Sequence, residues 1–136
     1  MLTKDYKIIE SFTTGVFIID TWQNGIIHVK VAGNTIIDAS DIKEQYDYLK
    51  TKFNSKKYII LVESGENSSL TKEAREFSTL PETNSMTLGT AVIIKSLAER
   101  LIINFMINIL NQQTMKLKMF ENKEKAIAWL LSLKQN

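Results

Sequence analysis

Gly89-Thr-Ala-Val-Ile-Ile-Lys-Ser-Leu-Ala-Glu-Arg-Leu-Ile-Ile-Asn-Phe-Met-Ile-Asn-Ile-Leu110 decides the fold, because it holds two kinds of element back to back. Ala91 to Ile94 is an apolar run too short for anything but a buried strand. Ser96 and Glu99 then form Ser-x-x-Glu, in which each side chain satisfies an orphan backbone N–H at a helix start. The helix that follows is apolar nearly all round: Leu97, Leu101, Ile102, Ile103, Phe105, Met106, Ile107, Ile109 and Leu110. Arg100, Asn104, Asn108 and Asn111 repeat at four, four and three, so they share a narrow stripe.

Outward from this stretch, the same strand-then-helix grammar recurs. Gly15 to Trp22 and Ile26 to Val31 flank Asn24-Gly25, which predicts an antiparallel hairpin with a type I′ turn. Ile27, Val29 and Val31 face one way in the second strand, and Ile26, His28 and Lys30 the other. Asp38 or Ser40 caps a helix to about Phe53 whose apolar stripe is Ile42, Tyr46, Leu49 and Phe53. Tyr58 to Val62 is a continuous apolar run of the kind covered on both faces in parallel sheets. A loop from Glu63 to Thr71 leads to a short helix with Leu70, Ala74, Phe77 and Leu80 on one side, ended by Pro81. Met115, Leu117 and Met119 alternate with lysines as an edge strand. A last helix places Ala126, Trp129, Leu130 and Leu133 inward. Residues 1–13 show no clean period and read as an edge strand or lead-in.

Repeated strand–helix units after a hairpin give an α/β fold, two-layer or sandwich. The expected sheet is mostly parallel and five-stranded, in sequential order, with an N-terminal antiparallel hairpin and four helices. Crossovers should be right-handed. A chain of 136 residues makes one domain, residues 1–136. It buries roughly 68% of its unfolded surface, enough for a core without staples.

Composition narrows the chemistry. There is no cysteine, which removes disulfides, thiol nucleophiles and cysteine metal sites. His28 is the single histidine, so a multi-histidine metal site is excluded. No cofactor is expected. A net charge of +2 is too small to point to nucleic acid. The lysines at 116, 118, 123, 125 and 134 read as a solvated face. No signal-peptide pattern opens the chain, and no apolar tract reaches the ~20 residues of a membrane span. The expectation is a cytoplasmic protein.

The element order, with Phe120-x5-Ala126-x2-Trp129-Leu130, resembles the STAS-like or SpoIIAA-like superfamily, and its small stand-alone bacterial members in particular. The likeness covers about residues 14–133. That family is related in fold to CRAL-TRIO lipid-binding domains. The resemblance implies protein–protein regulation and, in some branches, binding of nucleotides or apolar ligands. Its phosphorylatable members carry an Asp-Ser-Ser-Gly-like motif after the third strand. Here the loop reads Glu63-Ser64-Gly65-Glu66-Asn67-Ser68-Ser69, with Ser-Ser displaced, which argues against a kinase-operated switch.

Two places remain as candidate sites. Ligands of open α/β sheets bind at the carboxyl ends of strands, which makes Ser64, Gly65, Ser68, Ser69 and Thr71 a ligand or anion loop. Glu63 and Glu66 oppose a phosphate there. The long apolar helix has more apolar surface than one sheet covers, so Ile103, Asn104, Phe105, Met106, Ile107 and Asn108 are a candidate interface or pocket. His28 lacks a spaced Ser or Asp partner and reads as a sheet-face histidine, so no catalytic residue is assigned. The reading is therefore a non-catalytic STAS-like binding or regulatory module that acts through a protein partner or as a homodimer. The alternative is a binder of a small apolar or amphipathic, lipid-like ligand; an enzyme comes last.

Overall fold

The computed structural model describes residues 6–54, 56–110 and 116–134. Asn111 and Met115 of the readings above lie outside the described residues. Six strands form one sheet: β1 (Ile8–Thr13), β2 (Phe17–Trp22), β3 (Ile26–Val31), β5 (Tyr58–Ser64), β7 (Thr87–Ile93) and β8 (Lys116–Phe120), in that order. β4 (Ile36–Ile37) and β6 (Ser69–Leu70) pair separately as a short parallel ladder. The helices are α1 (Ala39–Phe53), α2 (Lys72–Ser78), α3 (Pro81–Asn84), α4 (Leu97–Leu110) and α5 (Lys123–Leu133).

The sequential order is as expected; the strand and helix counts are not. β1–β2 and β2–β3 are antiparallel, and the three later pairings are parallel, so the sheet is mixed and six-stranded. Of the two readings of residues 1–13, β1 is the edge strand; it adds the sixth strand and shows no period because nearly all its side chains are exposed. The fifth helix, α3, starts at Pro81 rather than ending there: proline at the first helical position gives up only an N–H that would be an orphan anyway. Leu80, expected inward on α2, is exposed as the residue before that new turn.

Three crossovers that step in one direction across the sheet place their helices on one face. On that face Leu49 of α1 packs against Ile27, Val29 and Ile60, and Ile103 and Met106 of α4 pack against Val92 and Ile94. α5 follows the last strand and folds back over the opposite face. There Ala126, Ile127 and Leu130 cover Ile26, Ile59, Leu61, Ala91 and Ile93. β5 is thus buried on both sides, as its unbroken apolar run requires. Trp129, expected inward, is not fully buried. It is half-buried and packs on Phe120, ring centroids 5.7 Å apart, on the far side of the sheet.

Local signals set the joints. Asp38 caps α1 in a reciprocal box with Asp41. Ser96 Oγ accepts from the Glu99 N–H at 3.1 Å, and Glu99 accepts from the Lys95 N–H at 2.8 Å, one residue earlier than the standard box. The hairpin is real, but its turn is not type I′. Gly25 alone has positive φ, +94°, and its N–H donates to the Trp22 carbonyl at 2.9 Å. That is a three-residue connection with the left-handed position supplied by glycine.

Candidate functional site

Between the α1–α2 pair and α4, the sheet is left with a cleft of about 190 Å³. The gap exists because α1 packs on α2, while α4 sits over the β8 side of the sheet. The floor is Val29, Ile60, Val62 and Val92. Ile42, Tyr46 and Leu49 form one wall, and Ile102, Ile103, Met106 and Leu110 the other. Ser64, Ser68 and Ser69 line the cleft at the carboxyl end of β5; Tyr58, Asn84 and Thr87 line it at the other end. Burial pushes the Tyr58 hydroxyl above its ordinary range, so it is neutral at pH 7.

The two candidate sites therefore meet in part: Ser64, Ser68 and Ser69 share one cleft with Ile103 and Met106. Gly65 and Thr71 have other duties. Gly65 donates its N–H to the Val31 carbonyl at 2.8 Å, and a Cβ there would lie 2.5 Å from the Gly33 nitrogen. The glycine thus allows the β5 loop to sit against the loop after β3. Thr71 caps α2 through the Ala74 N–H at 3.0 Å and donates to Asp38 at 3.0 Å. Ser68 donates to the Gly65 carbonyl at 2.9 Å. The loop is tied down by its own bonds, and Thr71→Ala should cost about 1 kcal/mol, the usual loss for an N-cap. Thermal melts of the variant check this; an unchanged melting temperature would deny Thr71 the role.

The remaining residues of the α4 group separate by side. Ile103 and Met106 point into the chain's own core, and Ile107 is half-buried. Asn104, Phe105 and Asn108 are exposed. So are Leu97, Leu101 and Ile109, which with Phe105 recur every four residues. The asparagines thus share the outer face with apolar side chains rather than forming a polar stripe of their own. The count of apolar positions signalled an excess; it did not say which of them turn outward.

On the α5 face, the structure supplies a partner for His28 that sequence spacing did not show. His28 Nε2 and Glu63 Oε2 share a hydrogen bond at 2.5 Å, and Lys123 Nζ lies 3.1 Å from the same carboxylate. Next to them, buried Asp20 accepts from Ser11 at 2.5 Å and pairs with Lys30 at 3.2 Å. No hydroxyl hydrogen-bonds to His28 among the described residues, so this cluster has no nucleophile–base pair. Nor do the described residues contain a group of three or more His, Cys, Asp or Glu placed to hold a metal ion.

The hydrogen bond from His28, with Lys123 beside it, holds the Glu63 carboxyl down to about 2. A carboxyl depressed in the folded state stabilises it above the ordinary value near 4.5, and that contribution is lost as pH falls toward about 2. Acid unfolding of the wild type and of Glu63→Gln should therefore converge across this window. A wild-type advantage that stays constant across it would contradict the pairing.

The family model described as a domain of unknown function, DUF7793, matches residues 21–134. The chain belongs to the DUF7793 family. Its match runs from the end of β2 to just past α5, so it takes in both walls of the cleft and the His28–Glu63 pair. A comparison with curated proteins finds no significant match. Among solved structures, this DUF7793 chain is similar to an uncharacterized protein of the DUF3478 family with a SpoIIAA-like fold from Shewanella loihica PV-4. The TM-score is 0.58 at 14% identity, over 96% of this chain and 98% of that one. The fold is SpoIIAA-like. No helix among the described residues is long and apolar enough to cross a membrane.

Proposed function

We propose that this DUF7793 chain is a non-catalytic binding module that works through protein–protein contacts and pairs with a second copy across the outer face of α4. One observation carries the reading. Leu97, Leu101, Phe105 and Ile109 are 71, 61, 58 and 39% exposed in the single chain. They form an apolar stripe about 18 Å long at the helical rise of 1.5 Å per residue. Large apolar side chains grouped on one face mark an interaction surface, and a two-fold pair is the commonest way to cover one. Charge favours a second copy. The helix carries only Glu99 and Arg100, and Arg100 is paired with Glu121 at 2.8 Å, so like helices meet without repulsion. That His28 has a carboxylate and no hydroxyl as its hydrogen-bond partner among the described residues supports a non-catalytic role, and a chain without cysteine suits the cytoplasm.

The missing cysteine also makes a clean test. Asn108→Cys, labelled with an environment-sensitive dye, places one probe on the exposed face at the C-terminal end of the stripe, beside Phe105 and Ile109. Its emission should shift to the blue as concentration rises toward tens of micromolar. A spectrum independent of concentration would count against the interface.

The cleft favours a second reading, the binding of a small apolar or amphipathic molecule. At about 190 Å³ it exceeds the ~150 Å³ at which an apolar cavity admits benzene. Native mass spectrometry of the purified protein tests this through co-purifying mass.

A further inference from the structure

Apart from the carboxylate of Glu99, the polar groups that line the cleft are neutral, and that disfavours an anionic occupant. Its hydrogen-bonding side chains are hydroxyls and amides, such as Ser64, Ser68 and Ser69 at one end and Asn84, Thr87 and Tyr58 at the other. Asn84 gives its amide N–H groups to the Ser78 and Leu80 carbonyls at 2.7 and 3.1 Å, and its oxygen accepts no hydrogen bond from a described residue. Among the described residues that line the cleft there is no lysine, arginine or histidine, and the one ionised group is the carboxylate of Glu99. Lys95 lies near the serine end but donates to the Ser64 carbonyl at 3.3 Å.

An anion placed here would lose its water without gaining a counter-ion, a cost of several kcal/mol. It would also meet the field of Glu99. A hydroxyl or amide meets partners of its own kind at either end. The cleft follows β5 from its first residue to its last, a seven-residue strand about 20 Å long, which suits an extended apolar chain rather than a compact ring system.

We infer that the cleft is a site for an amphipathic molecule that is not an anion, an extended apolar chain with a hydroxyl or amide head and no carboxylate or phosphate. This rests on the second reading above, that the cleft takes a ligand, and adds its charge class. It is independent of the pairing through α4, since the cleft wall is the inner face of that helix.

Isothermal titration of the full chain with 1-octanol and with octanoate near neutral pH compares one chain length with and without charge. The alcohol should bind at least about tenfold more tightly, a modest share of the desolvation cost of a carboxylate. The Met106 methyl resonance, assigned through Met106→Leu, should move along the same saturation curve. Octanoate binding as tightly as the alcohol, or more so, overturns the charge class while the ligand reading stands. Binding that leaves Met106 unmoved overturns the site. No binding of either probe, together with no apolar molecule extracted from the purified protein, overturns this inference and the ligand reading alike.

Discussion

Leu130→Ala should lower the stability of the domain by about 2–5 kcal/mol, the range for a buried leucine cut back to alanine. Leu130 is fully buried beneath α5, against strands that are themselves buried on both faces. Among the described residues, α5 is the one helix on that face, so no neighbouring helix can close over the cavity left behind. Trp129, one residue earlier, is the larger side chain but is half-buried and rests on Phe120 beside the edge strand. Its replacement by alanine should cost less than that of Leu130. Urea unfolding of the two variants checks both the size and the order. A loss below about 1 kcal/mol for Leu130→Ala would contradict the placement of α5 on the sheet.

Phe105→Glu should weaken self-association by about a thousandfold or more. A two-fold interface receives each substitution twice, and each buried, unpaired carboxylate costs at least ~2 kcal/mol, so ~4 kcal/mol is lost in all. The single copy should fold normally, because Phe105 already lies in water there. Far-UV circular dichroism and the melting temperature of dilute protein should match the wild type. Sedimentation velocity should show the variant as a monomer at concentrations where the wild type is paired. A variant that pairs as well as the wild type would move the interface elsewhere.

The elements with local chemistry were legible in the chain. Asn24-Gly25 marked a reversal, Asp38 a helix start, and Tyr58 to Val62 a strand with no wet side. Each signal is satisfied within a few residues, so tertiary context had little to override. What stayed open or was missed depends on contacts distant in sequence. β1 presents almost no buried side chain, and it joins the sheet through backbone bonds that leave no pattern in the residues. α5 could not be assigned a face from its own stripe, because that face follows from where the preceding strand lies. His28 and Glu63 are 35 residues apart and meet only because β3 and β5 are adjacent parallel strands.

The candidate site divides along the same line. Ser64, Ser68 and Ser69 were placed by the general rule for strand ends, and Ile103 and Met106 by the surplus of apolar positions on α4. That these lists meet in one cleft required the gap between α1 and α4, which no stretch of sequence records. The helix period distinguishes faces but does not name them. Leu97, Leu101 and Ile109 were thus left out of the candidate interface, although they turn outward.

Pairing through α4 is most directly tested by sedimentation equilibrium of the wild-type chain from about one to about a hundred micromolar, without any substitution. The expected result is a reversible shift toward twice the 15.6 kDa of the single chain. A single species at 15.6 kDa over the whole range would contradict it.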